Sequence, residues 1–370
     1  MPTDNLLEAK KAKNDEFYTQ YADIQKEINA YLEYNPDVFR GKTILLPCDD
    51  PEWSNFTKFF AQNFENFGLK KLISTSYAVE SKIYKEGYMP SLFETQNPKF
   101  DEAKTRIKGK IFVLDHDTNN SGCIDIDDLQ WEYLEGDGDF RSAEVRKLRD
   151  EADIIVTNPP FSLFREFIAW IMEGKKKFLI IGSMNAVTYK EVFPLIKENR
   201  IWLGINSNAT MEFSIPMDYS KWERIENGVK YGKVPGVSWL TNLEHGRRHE
   251  PIQLMTMNDN LRYSKHRELR ECGYLKYENY DAIDVPYTDA IPSDYNGVMG
   301  VPVTFLVRYC PEQFEIIGHP HGDYGLELGL KPFPRELKKA NKGLRDGDLY
   351  YLKDGIPELP YRRFLIRKKQ

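Results

Sequence analysis

Asn158, Pro159, Pro160 and Phe161 are the residues of this sequence whose types and order most clearly allow chemistry. Two consecutive prolines hold a rigid, exposed turn, because neither can continue a strand or readily enter a helix interior. The Asn158 side-chain oxygen and the Pro159 carbonyl can then both accept hydrogen bonds from one amine. Two fixed acceptors favour the geometry in which an aryl amine directs its lone pair at a methyl donor, and Phe161 supplies a face for an extruded base. The alternative is a strand-to-helix turn that Asn158 caps.

A glycine-rich segment precedes this tetrapeptide by some fifteen residues, and it contains Asp137, Asp139 and Phe140. A carboxylate at that place can accept the adenine amine of a bound cofactor while backbone groups frame the ring. The three residues are therefore candidate cofactor contacts. The alternative is an ordinary glycine-rich turn.

A second acidic segment, Cys48-Asp49-Asp50, ends a short apolar run and opens a helix-like stretch. A carboxylate here could hold the ammonium of an amino-acid group, and the helix N-terminus could hold its carboxylate. Otherwise Asp49 or Asp50 simply caps the helix. No glycine lies between Gly41 and Gly68, although a glycine-rich loop is the usual way to bring backbone close to a cofactor.

The aromatic pair Phe17-Tyr18, followed by Thr19, lies between two polar, helix-prone stretches. These residues are candidates to stack on a cofactor or to close its pocket. The alternative is a small satellite hydrophobic cluster.

Short apolar runs that alternate with helix-like stretches must position these segments. The predicted strands are residues 42–47, 72–74, 111–114, 153–157 and 177–182, and the predicted helices include 53–67 and 161–172. This alternation predicts an open, mostly parallel α/β sheet, in which ligands bind at the carboxyl ends of strands. Asn158 stands at such an end.

The alternation fades after about residue 215, where the chain becomes rich in Tyr, Asn, Gly and charge. Strand-like pieces continue at 236–241, 301–307 and 314–317. We therefore expect two regions, a catalytic domain over residues 1–215 and a less regular recognition region over residues 216–370.

The formal net charge of −6 argues against a non-specific polyanion binder. Residues 331–370 nevertheless contain twelve Lys or Arg against five Asp or Glu. An acidic body with a basic end suits an enzyme that grips phosphates locally. For the last few residues we expect solvated charge.

The four cysteines are far apart and form no CxxC pair, so neither a zinc site nor a disulfide framework is expected. Residues 117–128 nearly fit a calcium-binding loop, but Ser121 and Asp128 replace stronger ligands and a strand precedes the loop. An acidic surface loop is the preferred interpretation, and no metal is predicted. With no apolar signal region and no apolar run near 20 residues, we expect a cytoplasmic protein without membrane contact.

The segments above, taken together, resemble the adenine-specific DNA methyltransferases, and more narrowly the EcoRI-type family. The resemblance covers most of the chain, and its segments are 14–19, 48–56, 138–142, 158–165, 177–182, 201–204, 239–243, 247–249, 299–305 and 314–318. It implies a Rossmann-like methyltransferase sheet, S-adenosylmethionine as methyl donor, and transfer to adenine N6 in double-stranded DNA. It also implies that Asn158–Phe161 are catalytic and that Phe17, Asp49 and Asp139 face the cofactor.

An adenine must leave the duplex to reach Asn158, so base flipping is implied. Phosphate contacts are expected from Lys and Arg, and base contacts from the C-terminal region. The candidates are Arg247, Arg248, His249, Arg262, Lys265 and Arg267, each of which is otherwise solvated surface charge. A role in restriction–modification or in host or phage defence would imply a cognate restriction endonuclease, which need not bind directly.

Two other functions are compatible with the same tetrapeptide. It also serves methyltransferases that act on RNA amines or on a protein glutamine amide, although the large polar C-terminal half favours duplex DNA. A catalytically silent DNA-binding relative is the alternative from a different class.

Overall fold

The computed structural model describes residues 18–50, 54–78, 95, 98–118, 122–124, 128, 130–215, 222–226, 228–340 and 344–369. The chain forms two compact units. The larger one contains Met1–Val192 and Ile201–His245, and the smaller one contains Phe193–Arg200 and Gly246–Gln370.

In the described residues of the larger unit, eleven strands form one sheet. They are β1 (Tyr18–Thr19), β2 (Thr43–Leu46), β3 (Lys71–Thr75), β4 (Lys110–Leu114), β5 (Trp131–Tyr133), β6 (Ile154–Thr157), β7 (Lys177–Ser183), β8 (Trp202–Leu203), β9 (Ala209–Ile215), β10 (Arg224–Glu226) and β11 (Val229–Thr241). The order across the sheet is β1-β9-β11-β7-β6-β2-β3-β4-β5, with β8 and β10 paired to β11.

The centre of the sheet is parallel, because β3, β2, β6 and β7 lie side by side in one direction. Every residue of β2 and β6 is buried, as continuous apolar strands covered on both faces should be. The flanking strands are antiparallel on both sides. The expectation of a mostly parallel sheet is therefore wrong, since an apolar run carries no information on strand direction. The sheet is mixed and consistent with an S-adenosylmethionine-dependent methyltransferase fold.

The helices of this unit are α1 (Tyr21–Tyr34), α2 (Asn55–Gln62), α3 (Phe64–Phe67), α4 (Glu102–Ile107), α5 (Ala143–Glu151) and α6 (Phe164–Glu173). Helix α2 begins where the Ser54 hydroxyl accepts a hydrogen bond from the Phe56 amide. It buries Phe56, Phe59 and Phe60 in the core against the sheet. Gly68, with φ of 62°, ends α3 in the left-handed conformation that favours glycine.

The larger unit extends to His245, beyond the boundary expected near residue 215. The physical reason is strand β11, which pairs with β7 on one side and with β9 on the other. A strand inside a sheet cannot belong to another unit. The functional roles of the two regions remain predictions.

The smaller unit contains a four-stranded sheet in the order β12-β13-β17-β14 and a separate hairpin of β15 and β16. The strands are β12 (Ala282–Asp284), β13 (Val298–Pro302), β14 (Phe314–Gly318), β15 (Tyr351–Lys353), β16 (Ile356–Glu358) and β17 (Arg363–Lys368). The helices are α7 (Phe193–Lys197), α8 (Met257–Tyr263), α9 (Arg267–Cys272), α10 (Gly322–Glu327) and α11 (Arg335–Ala340).

The strand predicted over residues 301–307 is correct only for its first two residues. Strand β13 ends at Pro302, and Val303–Arg308 form a 3₁₀ helix. Proline lacks the N–H group that would continue the ladder, so the strand ends there.

The last residues of the chain were expected to be solvated surface charge, but residues 363–368 form a strand. They form β17, which lies between β13 and β14. Arg363 is buried and donates to the Asp284 carboxylate at 2.8 Å. The Lys369 ammonium donates to the Pro311 carbonyl at 2.6 Å. The backbone of residues 363–368 is therefore part of the small sheet and Arg363 is buried, whereas the Arg362, Arg367 and Lys369 side chains are exposed, as expected.

Candidate functional site

Three chain segments emerge at one edge of the large sheet. Because β2, β3 and β6 are parallel neighbours, their carboxyl ends meet there. Strand β2 leads to Cys48–Asp50, β3 leads to Ser76–Ala78, and β6 leads to Asn158–Phe161. The fold thus brings together segments that are more than 100 residues apart in sequence, as the bond from Thr157 to Asp49 shows.

Asp49 lies at the centre of this edge with only 5% of its surface exposed. One carboxylate oxygen accepts a hydrogen bond from the Ser54 hydroxyl at 2.7 Å, and the other accepts one from the Thr157 hydroxyl at 2.5 Å. The Asp49 backbone carbonyl accepts a third from Ser74 at 2.7 Å. Asp50 is more exposed than Asp49. Which of the two contacts a cofactor stays a prediction.

Burial has a direct electrostatic consequence for this segment. It raises the pKa of Asp49 from 3.8 to about 7, although the hydrogen bonds from Thr157 and Ser54 oppose the rise. Burial also raises the pKa of the Cys48 thiol well above its usual value, and the neighbouring Asp49 charge adds to the effect. Cys48 is therefore a neutral thiol at physiological pH.

The Asp137–Phe140 loop packs directly against the segment that follows β3. Gly138 has a φ of 83°, and a Cβ there would lie 2.1 Å from the Ser76 carbonyl oxygen, so only glycine fits. The Ala78 amide donates to the Asp137 carbonyl at 2.8 Å. This close approach places Asp139 beside Tyr77, whose hydroxyl donates to the carboxylate at 3.1 Å.

Arg141 holds the Asp139 carboxylate in a two-pronged ion pair, with nitrogen–oxygen distances of 2.9 and 2.7 Å. Burial opposes ionisation of Asp139, but the hydrogen bonds from Arg141 outweigh it and hold the pKa of Asp139 below its usual value. Arg141 also donates to Glu166 on α6 at 2.9 Å. It thereby connects the Asp139 loop to the helix that follows the tetrapeptide.

Phe140 packs away from solvent against that same helix. Its ring lies 5.0 Å from Phe167 and 5.6 Å from Trp170 in edge-on contacts. These contacts account for the burial of Phe140. A cofactor contact from this side chain stays a prediction.

The tetrapeptide leaves β6 as a tight turn. Asn158 and Pro160 are partly exposed, whereas Pro159 and Phe161 are buried. A 3₁₀ helix follows at Phe161–Leu163, and α6 then begins at Phe164. Pro160 and Leu163 occupy the two N-cap positions, and neither start has a side-chain cap bond. The catalytic interpretation of Asn158 and the interpretation as a structural turn residue both stay predictions.

Thr19 belongs to the edge strand β1, paired with β9, while Phe17 lies outside the described residues. The Thr19 carbonyl accepts a hydrogen bond from the Asn55 side chain at 2.8 Å, so the strand lies beside the start of α2. The Thr19 hydroxyl oxygen is buried without a hydrogen-bond partner within the described residues. A buried hydroxyl of this kind is costly unless a ligand satisfies it. Tyr18 pairs with Ser214 through its backbone.

The candidate DNA contacts all lie in the smaller unit, and their environments differ. Arg248 is 6% exposed and donates to Asn199 at 2.6 Å, which is the arrangement of a structural arginine. His249 is bonded to Glu312 at 3.0 Å. Four candidates are exposed, and three of them are cations at every pH of interest: His249, Arg262, Lys265 and Arg267.

Two of these exposed cations have acidic neighbours, Lys265 with Asp289 at 2.8 Å and Arg267 with Glu271 at 2.7 Å. Such exposed pairs contribute little and exchange readily with other anions. Arg247 is half-buried. Contact of any of the six candidates with DNA stays a prediction.

The segment that nearly matched a calcium loop lies partly outside the described residues. Asp128 is fully buried and accepts hydrogen bonds from the Thr118 amide and hydroxyl at 2.7 and 3.0 Å. The interpretation as an acidic surface loop is therefore wrong for Asp128, which is a buried structural carboxylate. Among the residues that the structure describes, no group of three or more metal-ligating His, Cys, Asp or Glu side chains comes together.

The sequence reasoning missed Thr157, Ser54 and Tyr77. A signal for Thr157 was its place as the last residue of an apolar strand, directly before Asn158. Tyr77 follows β3 in the way that Asp49 follows β2. Ser54 precedes a helix and so resembled an ordinary cap.

Comparison with known proteins gives a consistent family. Residues 5–369 match the family model described as "Adenine-specific methyltransferase EcoRI". The chain is 42% identical to Type II methyltransferase M.EcoRI from Escherichia coli, covering 100% of this chain and 98% of the relative. It is 37% identical to Type II methyltransferase M.MpnI from Mycoplasma pneumoniae, covering 84% and 83% of the two chains. No solved structure gives a significant match.

Of the helices in the described part of the chain, none has the length and apolar character to cross a bilayer.

Proposed function

Since the chain belongs to the family of adenine-specific EcoRI methyltransferases, we propose that it methylates the exocyclic N6 amine of a specific adenine in duplex DNA. The methyl donor in this proposal is S-adenosylmethionine. The adenine is flipped out of the helix, because its amine is otherwise enclosed in a base pair.

One observation carries the proposal. Asn158–Phe161 follow a fully buried parallel strand at the centre of the sheet, beside the strand that leads to Asp49. Parallel sheets place their ligands at this edge. Within the described residues, the three strand ends and the Asp139 loop carry four aspartates and Arg141, of which Asp49 has a pKa of about 7 and Asp139 is paired with Arg141. The acidic side chains outnumber the basic one, and this surrounding suits a cationic methyl donor.

Asn158 and Pro159 would act on the amine itself. The Asn158 side-chain oxygen and the Pro159 carbonyl accept its two N–H groups, which orients the nitrogen lone pair toward the donor. Burial of Pro159 and Phe161 makes one wall of the amine-binding site rigid and keeps water out of that site. The amine nitrogen bonds to the methyl carbon as the carbon–sulfur bond of the donor breaks, so the donor leaves as a neutral thioether. The nitrogen then gives up one proton to solvent.

Residues near the neighbouring strand ends, together with Thr19 beside the start of α2, fit S-adenosylmethionine. Asp139 supplies an ionised acceptor, Asp50 a more exposed carboxylate, and Thr19 a buried hydroxyl without a partner in the described residues. We assign Asp139 to the adenine amine, and Asp50 and Thr19 to the amino-acid end. When bound, the cofactor supplies an electrophilic methyl group.

The smaller unit would hold the DNA, with Arg262, Lys265 and Arg267 as the exposed cations for phosphate contacts. This substrate places the enzyme in the cytoplasm. A role in restriction–modification, with a cognate endonuclease acting on the same sequence, follows as part of the proposal.

A transfer assay with tritiated S-adenosylmethionine tests the substrate. Unmethylated duplex DNA, the same DNA denatured, tRNA and a protein mixture are compared, and the labelled product is digested and identified. We expect label in N6-methyldeoxyadenosine from duplex DNA. Label in RNA, in a glutamine residue or in another base would overturn the proposal, and DNA binding without cofactor binding would indicate a silent relative.

Asp139→Asn tests the proposed cofactor contact. Because a hydrogen bond to a charged group contributes about 1.5–3 kcal/mol, we expect the Kd for S-adenosylmethionine to rise about 10- to 100-fold. Since the pKa of Asp139 lies below its usual 3.8, the wild-type Kd should show no contribution from this group between about pH 5 and 8. Titration calorimetry measures both quantities.

Glu166→Gln is the matched control, because it removes the other carboxylate that binds Arg141 and leaves Asp139 in place. Its Kd should remain within about threefold of wild type, as expected for an exposed ion pair. Equal losses in the two variants would mean that Asp139 only anchors Arg141.

A further inference from the structure

Thr157 has no role in the mechanism above, although it is fully buried between the two strand ends that form the site. We propose that its hydrogen bond to Asp49 positions the Asn158 turn for methyl transfer, so that Thr157 is a positioning residue for the reaction. The inference rests on the proposed catalytic role of Asn158.

The hydrogen bond between Thr157 and Asp49 lies directly before Asn158, the residue that has to be positioned. Thr157 is the last residue of β6, and Asn158 is the next residue in the chain. The Thr157 hydroxyl donates to an Asp49 carboxylate oxygen at 2.5 Å. Beyond Thr157 the ladder between β6 and its neighbours ends, so backbone pairing no longer holds the chain.

Asp49 can act as an anchor because it is itself held on several sides. The Ser54 hydroxyl donates to its second carboxylate oxygen, and the Ser74 hydroxyl donates to its backbone carbonyl. Thr57 on α2 is hydrogen-bonded to Ser74 at 2.9 Å. The anchor therefore joins α2, β3 and β2, and Thr157 connects β6 to it.

This network also offers a reason why the segment that follows β2 contains no glycine. A glycine-rich loop after the first strand would be adaptable backbone, whereas here side-chain hydrogen bonds hold Asp49 in place. A rigid connection between the cofactor-side segment and the Asn158 turn keeps the methyl donor and the amine acceptors in register. Misplacement by about 1 Å at such a site costs about 100-fold in rate.

Thr157→Val removes the hydroxyl at nearly constant volume. Single-turnover methyl transfer, in which excess enzyme is preincubated with DNA and the reaction is started with saturating S-adenosylmethionine, isolates the chemical step from product release. We expect the rate constant to fall about 10- to 100-fold, while the Kd values for S-adenosylmethionine and DNA change less than about threefold. Thr157→Ser retains the donor and should restore the rate to within about threefold of wild type.

A matched control separates positioning from lost stability. Thr241 is equally buried in the same sheet, and its hydroxyl donates to the Phe178 carbonyl at 2.6 Å. Thr241→Val should lower the thermal midpoint by a similar amount but leave the transfer rate within about threefold of wild type. If both valine variants lose rate in proportion to stability, Thr157 is merely structural and the inference fails.

A double-mutant cycle tests whether Thr157 acts through Asp49. In an Asp49→Ala background, Thr157→Val should reduce the rate by less than about threefold, because the acceptor is already gone. Equal effects in both backgrounds would overturn the inference. If Asp49→Ala does not fold, the valine and serine variants decide the question by themselves.

The same series distinguishes this inference from the proposed function. Loss of transfer in Asn158→Ala together with normal transfer in Thr157→Val would overturn only the positioning role. Normal transfer in Asn158→Ala would overturn the proposed catalytic site, and the positioning role with it.

Discussion

Asn158→Ala is expected to reduce single-turnover methyl transfer about 100- to 1,000-fold, which is the usual effect of removing one preorganised polar group at a reacting centre. The variant loses the side-chain acceptor for the adenine amine, and the Pro159 carbonyl remains. Because the side chain acts on the amine in the transition state, the Kd for DNA should change little. Rapid-quench transfer and fluorescence anisotropy with the same duplex measure the two quantities.

Asn185→Ala is the control for this substitution. Asn185 is an exposed asparagine that follows β7, the parallel strand next to β6. Its removal tests whether any polar side chain at this edge is required. Transfer by Asn185→Ala should remain within about threefold of wild type, and retained turnover in Asn158→Ala would refute the assignment of Asn158.

Asp49 is expected to make the protein less stable as the pH rises from about 4 to 8. Its pKa is about 7 in the folded state, against an ordinary value of 3.8 for an exposed aspartate. The stabilising contribution of the protonated form is complete below the unfolded pKa and is lost as the pH rises through the folded pKa. At about 1.4 kcal/mol per pKa unit, the loss approaches about 4 kcal/mol.

Asp49→Asn cannot ionise and should lack this part of the pH dependence. Urea unfolding, followed by near-ultraviolet circular dichroism at several pH values, gives the difference between wild type and variant. Asp50→Asn is the control, because it keeps the buried Asp49 carboxyl and should retain the slope. Parallel pH profiles for wild type and Asp49→Asn would show that Asp49 does not titrate in this range.

The sequence alone determined the local features of the site. Prolines after an apolar strand specify a turn, so the sequence by itself predicts that Asn158 lies at a strand end. The strands that became β2, β6 and β7 are continuous apolar runs, which is the pattern of strands buried on both faces. The family resemblance was confirmed over nearly the whole chain.

Strand direction and the position of the unit boundary depended on the tertiary structure. The apolar run at Ile111–Leu114 reads the same in either direction, and only its pairing with β3 makes β4 antiparallel. Residues 236–241 are strand-like in sequence, and their place beside β7 decides that they belong to the large sheet. Both outcomes depend on pairings between distant residues.

Contacts between distant residues also explain why local sequence patterns could not show the roles of some side chains. Arg248 is basic and resembles a phosphate contact, but a partner 49 residues away buries it. Asp49 and Asp50 are identical in type and adjacent in sequence. They differ in their contacts, because a threonine 108 residues further along the chain donates a hydrogen bond to the Asp49 carboxylate. Propensity and periodicity act over a few residues, whereas burial and hydrogen-bond partners depend on which segments the sheet brings together. The sequence therefore determined which segments form the site, and the tertiary structure decided which carboxylate anchors it.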